Sequence, residues 1–180
     1  MDHRARSAGE KVRIFSATAC LMGLFMVIWN LPVAWPQFLI YNHTPSVPVG
    51  WYLMLPVSEV EDGDVVGFKA PADTEAVALE RGWLKADDVM LKKVGAMPGE
   101  RFEIDDEQGF YVNGRYIGQV QQFDGKGMTM PHIEQGQHIV EDGCFLPVTE
   151  NPFSYDGRYY GTVPLADIIF RAVQLNPFAR

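Results

Sequence analysis

A long apolar segment near the N-terminus is the first feature of the hydrophobic and polar pattern. From Ile14 to Ile28 almost every residue is apolar, and no Asp, Glu, Lys or Arg occurs between Arg13 and Glu59. A helix that spans a bilayer needs about 20 predominantly apolar residues. The pattern therefore predicts one transmembrane helix over residues 14–36, ending near Pro36, because proline interrupts a helix.

The charges beside this segment predict its orientation. Residues 1–13 contain four basic and two acidic side chains, and an excess of Lys and Arg is typical of the cytoplasmic side of a span. We therefore expect the N-terminus in the cytoplasm and residues 42–180 on the other side of the membrane. The alternatives are a cleaved signal peptide and a buried core helix. No small-x-small cleavage site follows the apolar run before Pro32, which disfavours the signal peptide.

From Trp51 onward the pattern changes to short apolar runs separated by turn residues. Such runs are typical of β-strands. The Asn113-Gly114 dipeptide lies within Phe110–Ile117, and it favours the type I′ turn of a β-hairpin. Besides this hairpin we predict strands at Trp51–Leu55, Asp64–Phe68, Val89–Val94, Arg101–Ile104, His138–Val140, Cys144–Val148, Tyr159–Val163 and Ile168–Val173.

One short helix is predicted in this region. Asp73 is a favourable N-cap, the residues from Thr74 to Arg81 can form the helix, and Gly82 ends it. A long connecting loop is expected over residues 118–136. The predicted fold class is therefore mainly β, a β-rich domain with one short helix that is preceded by a single N-terminal transmembrane helix.

Composition and charge exclude several function classes. The 180 residues are 47% hydrophobic, and the net charge is −8 because 23 acidic residues outnumber 15 basic ones. Phosphate binding requires clustered basic residues, so no nucleic-acid partner is expected. Cys20 lies in the apolar segment, Cys144 lies far downstream, and the four histidines lack the spacing of metal ligands. We therefore predict no disulfide, no metal and no cofactor.

The stretch Asn42–Tyr52 follows the apolar segment and contains Ser46. Pro45, Pro48 and Gly50 surround this serine, and such a sequence suits neither the interior of a helix nor a central strand. The pattern predicts a rigid loop that presents a serine hydroxyl. The same prolines also suit the exit from a membrane helix, so these residues alone leave both interpretations open.

A serine becomes a strong nucleophile when a nearby base takes its proton. No Gly-x-Ser-x-Gly elbow is present, so a Ser-His-Asp triad is not favoured. Lysine can serve as the base when burial lowers its pKa. Alternation along Val89–Val94 places Lys92 on one face and Lys93 on the other, so one lysine can be buried. The alternative is an edge strand whose paired lysines discourage aggregation.

Three sequence blocks resemble the type I signal peptidase family, the membrane proteases that use a Ser/Lys dyad. The blocks are Asn42–Tyr52, Lys92–Glu100 and Ser154–Gly161. The short chain and the form of the first block are most similar to the TraF-type branch, the conjugative-transfer peptidases that mature pilin subunits. The resemblance implies a signal-peptidase-like β catalytic domain over residues 42–180.

The resemblance implies roles for the residues of the first two blocks. Ser46 would be the nucleophile and Lys92 the general base, in agreement with the alternation of the predicted strand. Thr44, two residues before Ser46, would supply a hydroxyl that stabilises the oxyanion beside the Ser46 backbone N–H.

The third block would support the lysine. By resemblance Ser154 would hydrogen-bond and orient it, while Asp156 and Arg158 would hold the loop that carries Ser154. The run Val148–Pro152 departs from the family, which has Gly-Asp-Asn-Arg before this block. Whatever that run organises in the family must be organised differently here.

The resemblance also implies a location and a substrate. The enzyme would be a single-pass protein of the bacterial inner membrane with its catalytic domain in the periplasm. It would cleave a membrane-borne pilin or secretory precursor beside small residues such as Ala, and in some members of the branch the pilin's own N-terminal amine captures the acyl-enzyme to give a cyclic product. The lipid bilayer and other conjugative transfer proteins are further expected partners. The alternatives are a housekeeping signal peptidase and a catalytically silent structural component of a conjugation or secretion apparatus.

Overall fold

The computed structural model describes residues 19–23, 38–86 and 88–175. The chain divides into two compact units with the boundary after Pro36. In the first unit residues 19–23 are helical, while the predicted basic N-terminus and the rest of the predicted helix over 14–36 lie outside the described residues. None of the helices in the described part of the chain combines the length and the apolar character needed to span a bilayer.

The second unit consists mostly of short strands joined by turns. Its helices are α1 (Ala72–Glu80) and α2 (Gly157–Tyr160), with one 3₁₀ turn at Leu165–Asp167. Its strands are β1 (Leu39–Asn42), β2 (Gly50–Leu55), β3 (Val65–Phe68), β4 (Met90–Ala96), β5 (Arg101–Ile104), β6 (Gly109–Val112), β7 (Arg115–Gln119), β8 (Gly136–Ile139), β9 (Cys144–Val148), β10 (Val163–Pro164) and β11 (Ile168–Gln174).

These strands form two antiparallel sheets. Seven strands form the larger sheet in the order β1-β2-β11-β3-β4-β9-β10, and four form the smaller sheet in the order β7-β6-β5-β8. The hairpin between β6 and β7 turns at Asn113 and Gly114, whose φ angles are 51° and 77°. A type I′ turn requires positive φ at both positions, so this prediction is confirmed. The prediction of a mainly β domain is confirmed as well.

One strand prediction is wrong. Residues 159 and 160 of the predicted strand Tyr159–Val163 belong instead to helix α2, and strand β10 covers Val163–Pro164 alone. The Asp156 side chain caps the helix by accepting a hydrogen bond from the Arg158 backbone N–H, and Gly161, with a φ of 77°, ends it. A local cap of this kind overrides the strand preference of the tyrosines.

The helix prediction needs two corrections. Helix α1 begins at Ala72 after Pro71, without a side-chain cap, and Asp73 lies inside its first turn. A proline has no N–H to be satisfied, which suits the start of a helix. The domain also contains α2 in addition to the single helix that was predicted.

Strand β1 was not predicted, because its residues continue the apolar segment without a turn signal. It pairs with β2 from Leu39 opposite Leu53 to Asn42 opposite Gly50. Strand β2 therefore contains the predicted strand Trp51–Leu55 and begins one residue earlier, at Gly50, inside the stretch that contains the serine. As a result the loop that carries Ser46 is short and is held at both ends by a strand pair.

The core consists of two clusters, and β4 contributes residues to both. Val66, Phe68 and Phe145 are fully buried in the main cluster, where the rings of Phe68 and Phe145 pack edge to face at 5.4 Å. A smaller cluster contains Tyr52 and Leu91. Successive residues of β4 contribute to different clusters because side chains alternate along a strand. Lys92 therefore shares the buried face of Met90 and Val94, whereas Lys93 on the other face is only half-buried.

Candidate active site

The serine loop, residues 43–49, connects β1 to β2 and is anchored by Asn42. The buried Asn42 side chain donates from Nδ2 to the carbonyl oxygens of Thr44 at 2.7 Å, Val47 at 2.9 Å and Pro48 at 3.2 Å. Its Oδ1 accepts the backbone N–H of Thr44 at 3.1 Å. One amide thus satisfies backbone groups along the whole loop. The two prolines of the loop cannot do this, because they have no N–H to donate.

Three further side chains hold the same loop from outside. The Tyr52 hydroxyl donates to the Pro48 carbonyl at 2.7 Å, the Thr149 hydroxyl donates to the Ser46 carbonyl at 2.5 Å, and the Asn151 amide donates to the Pro45 carbonyl at 3.4 Å. Together with the bonds from Asn42, all five carbonyl groups from residue 44 to residue 48 accept a hydrogen bond. The backbone that carries Ser46 is therefore fixed.

Lys92 lies in the middle of β4, and its side chain reaches the Ser46 hydroxyl. Its Nζ lies 2.8 Å from Ser46 Oγ and 2.6 Å from Ser154 Oγ, and the two hydroxyl oxygens lie 2.9 Å apart. Lys92 is only 4% exposed, whereas Lys93 is half-buried on the opposite face. The structure thus brings Ser46, Lys92 and Ser154 into mutual contact, and the alternation that predicted one buried lysine is observed.

Burial changes the proton affinity of this lysine. The loss of hydration lowers the pKa of Lys92 from 10.5 to about 8; the negative charge of Asp156 opposes the shift and the positive charge of Arg158 adds to it. The charged form is disfavoured because the surrounding protein solvates it less well than water does. A substantial fraction of Lys92 is therefore neutral in mildly alkaline solution and can accept a proton.

Asp156 and Arg158 form a fully buried ion pair behind Ser154. Arg158 Nε lies 2.8 Å from Asp156 Oδ1, and Arg158 Nη2 lies 3.0 Å from Oδ2. Burial raises the pKa of Asp156, and the facing guanidinium opposes that shift. Two parallel hydrogen bonds fix the relative orientation of the partners. The pair therefore holds the segment between Thr149 and α2, which presents Ser154 to Lys92.

Thr44 lies at the site but its hydroxyl is already engaged. It donates to Asn42 Oδ1 at 2.9 Å, so its proton points into the serine loop in this conformation. The Ser46 backbone N–H, in contrast, donates no hydrogen bond to any of the described residues. The free donor beside the Ser46 hydroxyl is therefore the backbone group, and the role of Thr44 as an oxyanion donor stays a prediction.

A cavity of about 560 Å³ extends from Ser46 and Lys92. This volume is much larger than an alanine side chain, so size alone does not explain a preference for small residues. Arg81 donates hydrogen bonds to the carboxylate of Asp124, a residue that lines the cavity, at 3.2 Å and to the Thr129 carbonyl at 2.7 Å. The apolar part of the lining includes Leu84, Met90, Met130, Trp83 and Tyr155.

The sequence indicated no role for four side chains that hold the serine loop, those of Asn42, Tyr52, Thr149 and Asn151. Asn42 carried a usable signal, because asparagine side chains often bond to the backbone two residues ahead, as this one does at Thr44. Thr149 and Asn151 lie more than 100 residues from the serine loop that they contact. Nothing local in their sequence points to that contact.

Comparison with known proteins places this site in a family. The model of the family described as signal peptidase, peptidase S26, matches residues 11–175. The conjugal transfer protein TraF of Agrobacterium tumefaciens (strain 15955) is 34% identical over 143 residues, which are 68% of this chain and 73% of the relative. The probable conjugal transfer protein TraF of Sinorhizobium fredii (strain NBRC 101917 / NGR234) is 30% identical over 167 residues, 84% of each chain.

A solved structure was also compared. The crystal structure of a signal peptidase I from Enterococcus faecalis V583 covers 64% of this chain and 98% of its own, with 17% identity and a TM-score of 0.39. The family assignment rests on the sequence matches, since the family model spans most of the chain and the TraF relatives align over two thirds of it or more. The chain belongs to the signal peptidase family, peptidase S26, and its relatives include the conjugal transfer protein TraF.

Proposed function

We propose that this chain is a membrane-anchored serine endopeptidase of the signal peptidase type that cleaves a pilin precursor during plasmid conjugative transfer. The observation that carries the proposal is the buried pairing of Lys92 Nζ with Ser46 Oγ at 2.8 Å. A nucleophile within hydrogen-bonding distance of a base of lowered pKa is the arrangement that covalent catalysis requires. Membership of the signal peptidase family supports peptide bonds as the substrate, and the TraF relatives support conjugation as the setting.

The reaction begins with proton transfer from Ser46 to Lys92. Neutral Lys92 accepts the Oγ proton while Oγ attacks the carbonyl carbon of the scissile peptide. The Ser154 hydroxyl oxygen lies within 3 Å of both Lys92 Nζ and Ser46 Oγ, and it keeps the lysine directed at Ser46. The resulting ammonium then gives its proton to the nitrogen of the leaving peptide as the C–N bond breaks. An ester between Ser46 and the new C-terminal acyl group remains.

The negative oxygen of the tetrahedral intermediate needs a preorganised donor. The Ser46 backbone N–H is available because it donates to no other described residue, while the five carbonyl bonds of the serine loop keep it in place. A donor that does not have to reorient stabilises the developing charge most effectively. This group therefore serves as the main oxyanion donor.

The acyl-enzyme is resolved by a second nucleophile activated by Lys92. Attack by water gives a linear product, and attack by the N-terminal amine of the same pilin chain gives a cyclic product that is lighter by one water. Mass spectrometry of the mature pilin distinguishes these outcomes directly.

The precursor lies between two strand segments that border the cavity. Residues 40–42 of β1 and 90–92 of β4 line it, and within the described sheet β1 is an end strand while Met90–Lys92 pair only with β3. Each segment therefore offers backbone groups to an extended peptide, which binds as an added strand. A peptide bound in this way would have its scissile bond beside Ser46.

The proposed location follows from the sequence. Residues 14–36 form the anchor, residues 1–13 remain in the cytoplasm, and residues 42–180 act in the periplasm at the inner membrane. A serine so close in sequence to the anchor can act on a precursor that is still held in the membrane.

The decisive experiment replaces the two catalytic residues separately in cells that carry the conjugative plasmid. We expect Ser46→Ala and Lys92→Ala each to lower precursor processing by at least about a thousandfold, as measured by mass spectrometry of the pilin. Ser58→Ala, an exposed serine, and Lys93→Ala, on the opposite face of β4, are the matched controls. Full processing by either catalytic variant contradicts the proposed dyad.

The same strains separate the remaining alternatives. A housekeeping signal peptidase predicts that loss of the gene stops growth, whereas a conjugation enzyme predicts loss of plasmid transfer alone. A catalytically silent structural component predicts that transfer survives Ser46→Ala but fails when the domain is deleted.

A further inference from the structure

A short segment next to the third sequence block touches the backbone on both sides of Ser46. Thr149 Oγ1 donates to the Ser46 carbonyl at 2.5 Å, and Asn151 Nδ2 donates to the preceding carbonyl, that of Pro45, at 3.4 Å. The Asn151 backbone N–H in turn donates to Thr149 Oγ1 at 3.1 Å. The Thr149 hydroxyl thus uses its donor on the serine loop and its acceptor on its own segment.

These bonds fix the two peptide planes that flank Ser46. In a planar trans peptide the carbonyl and the N–H point in opposite directions, so a bond that holds the Pro45 carbonyl also sets the direction of the Ser46 N–H. The Thr149 bond to the next carbonyl fixes the following plane. With both planes fixed, the Ser46 N–H and the Ser46 side chain keep a constant relative orientation.

Thr149 is itself held by the buried ion pair. Its backbone N–H donates to Asp156 Oδ2 at 3.0 Å, and its carbonyl accepts from Arg158 Nη2 at 2.7 Å. Thr149 is only 3% exposed, and its main chain has no alternative hydrogen-bonding partner in solvent. The ion pair that presents Ser154 to Lys92 therefore also determines the position of Thr149.

We propose that Thr149 and Asn151 are positioning residues that set the direction of the Ser46 N–H, the donor to the oxyanion. The inference rests on the proposed peptidase function, which needs that donor. In the resulting arrangement one segment serves both halves of the reaction, because Ser154 orients the base while Thr149 and Asn151 orient the oxyanion donor. It also accounts for the run Val148–Pro152, which departs from the family pattern and here supplies these two contacts.

The proposal predicts a defect in the transition state with the base left intact. Loss of one oxyanion donor costs about a hundredfold to a thousandfold in kcat, so misdirecting it costs less, about 10- to 100-fold. The Michaelis constant for a peptide substrate changes by less than about threefold, because the ground-state carbonyl depends little on that donor. The pH midpoint of kcat stays where it is in the unaltered enzyme, since the Thr149 hydroxyl makes no hydrogen bond to Lys92 among the described residues, whereas Ser46 and Ser154 do.

The test compares isosteric and conservative variants of the full-length protein on one peptide substrate. Thr149→Val removes the hydroxyl at nearly constant volume, and we expect kcat to fall by the predicted factor of about 10 to 100. Thr149→Ser retains the donor and recovers most of that loss. Asn151→Ala gives a smaller loss, because its contact is longer. Thr162→Val is the control, a half-buried threonine whose hydroxyl makes no hydrogen bond among the described residues.

A second readout makes the outcome independent of activity. In ¹⁵N relaxation the order parameter of the Ser46 N–H falls from a rigid value of about 0.85 towards 0.6 in Thr149→Val. An unchanged order parameter with unchanged kcat overturns the positioning role. So does a loss of kcat that comes with a shifted pH midpoint or that Thr149→Ser fails to recover. If Thr149→Val does not fold, Asn151→Ala decides the same question by the same two measurements.

The two proposals fail in different ways. If the unaltered protein and Ser46→Ala process a precursor equally, the peptidase function is wrong whatever Thr149 does. If Ser46→Ala is inactive and Thr149→Val matches the unaltered protein, the function stands and the positioning role falls.

Discussion

At Lys92 the proposed catalytic role conflicts with the stability of the folded protein. Its pKa of about 8 means that at lower pH the folded protein contains a buried ammonium with only two hydroxyl partners, Ser46 and Ser154. Burying a charge with so little compensation is unfavourable. The unfolded chain has no such cost, because water solvates the lysine there. The site therefore reduces the free energy of unfolding whenever Lys92 is protonated.

The pH dependence of stability tests this cost. Between about pH 8 and 10.5 the unfolded lysine still holds its proton while the folded one has lost it, so the free energy of unfolding rises with pH, by about 3 kcal/mol from this group. Lys92→Met lacks that rise. Urea denaturation of both proteins across this window measures the difference, with Lys93→Met as the control for loss of a lysine from β4. Parallel pH profiles for Lys92→Met and the unaltered protein contradict the shifted pKa.

The proposed role of Lys92 predicts the pH dependence of catalysis. With neutral Lys92 as the proposed base, we expect kcat/KM to rise with pH and to reach half its maximum near pH 8. Ser154→Ala removes one of the two hydroxyls that contact Nζ, so it lowers kcat/KM and moves this midpoint. A pH profile of kcat/KM for both proteins makes the measurement, and a midpoint below pH 7 in the unaltered enzyme contradicts the assignment of the base.

At the scale of elements, α2 has to pack closely against β9 to bring the ion pair under Ser154. Its first residue is Gly157, and a Cβ atom there would lie 2.6 Å from the Pro147 carbonyl oxygen and 2.7 Å from Leu146 Cδ1. The first of these contacts is to backbone, which cannot move aside as the end of a flexible side chain can. The glycine is therefore needed for the distance between α2 and β9.

Gly157→Ala tests this packing. We expect the free energy of unfolding to fall by about 1–3 kcal/mol through overpacking, and peptidase activity to fall with it, because α2 carries Arg158. Gly125→Ala is the matched control, since nothing lies within 4 Å of a Cβ at that position. Urea denaturation of both variants gives the comparison. Equal midpoints for the two would show that α2 and β9 can separate without cost.

The elements that could be predicted from the sequence are those with a local signal. The bounds of β5 and β9 match the prediction, and the Asn113-Gly114 hairpin followed from a turn preference that needs no tertiary contact. The prediction was wrong at α2 because its tyrosines favour a strand, while the cap at Asp156 becomes decisive only once that carboxylate is fixed by Arg158. Strand β1 was not predicted because an apolar strand that follows an apolar segment carries no boundary signal.

The candidate site was predictable to a different degree. Alternation along β4 indicated that one of its two lysines can be buried, and the resemblance selected Lys92. The distance from Lys92 to Ser46 depends on how the sheet brings β4 towards the serine loop. Only the resemblance to a family joined the two residues in advance. The contact of Thr149 with Ser46 bridges 103 positions and lies in the run where the family pattern is absent, so neither route indicated it.

At the scale of the whole molecule, one face of the larger sheet is apolar and exposed among the described residues. Tyr41 is 48% and Trp51 54% exposed, and their rings pack edge to face at 5.2 Å. Leu39 and Val173 extend the same face, since both are register partners of Leu53 in β2. Aromatic rings with a polar edge suit the boundary between lipid and water. We expect this face to contact the membrane surface when the proposed anchor holds the domain there.

Replacing two exposed residues of this face that do not line the cavity, Trp51 and Val173, tests this orientation in the full-length protein embedded in lipid vesicles. We expect Trp51→Ser combined with Val173→Ser to lower cleavage of a precursor in the same vesicles by about tenfold, which corresponds to losing roughly 1.4 kcal/mol of interfacial burial. Cleavage of a soluble peptide with the same cut site should change far less, because neither residue borders the cavity that extends from Ser46 and Lys92. The comparison of the two rates isolates the membrane contribution.

Ile139→Ser provides the control for this comparison. Ile139 is 60% exposed, but it lies on β8 in the smaller sheet, so its loss removes apolar surface from a part of the domain that is not expected to touch lipid. Both rates should then remain within about twofold of the unaltered enzyme, as is usual for exposed positions. If the Trp51 and Val173 double variant lowers the two rates equally, the exposed face supports the serine loop through β2 and makes no contribution at the membrane.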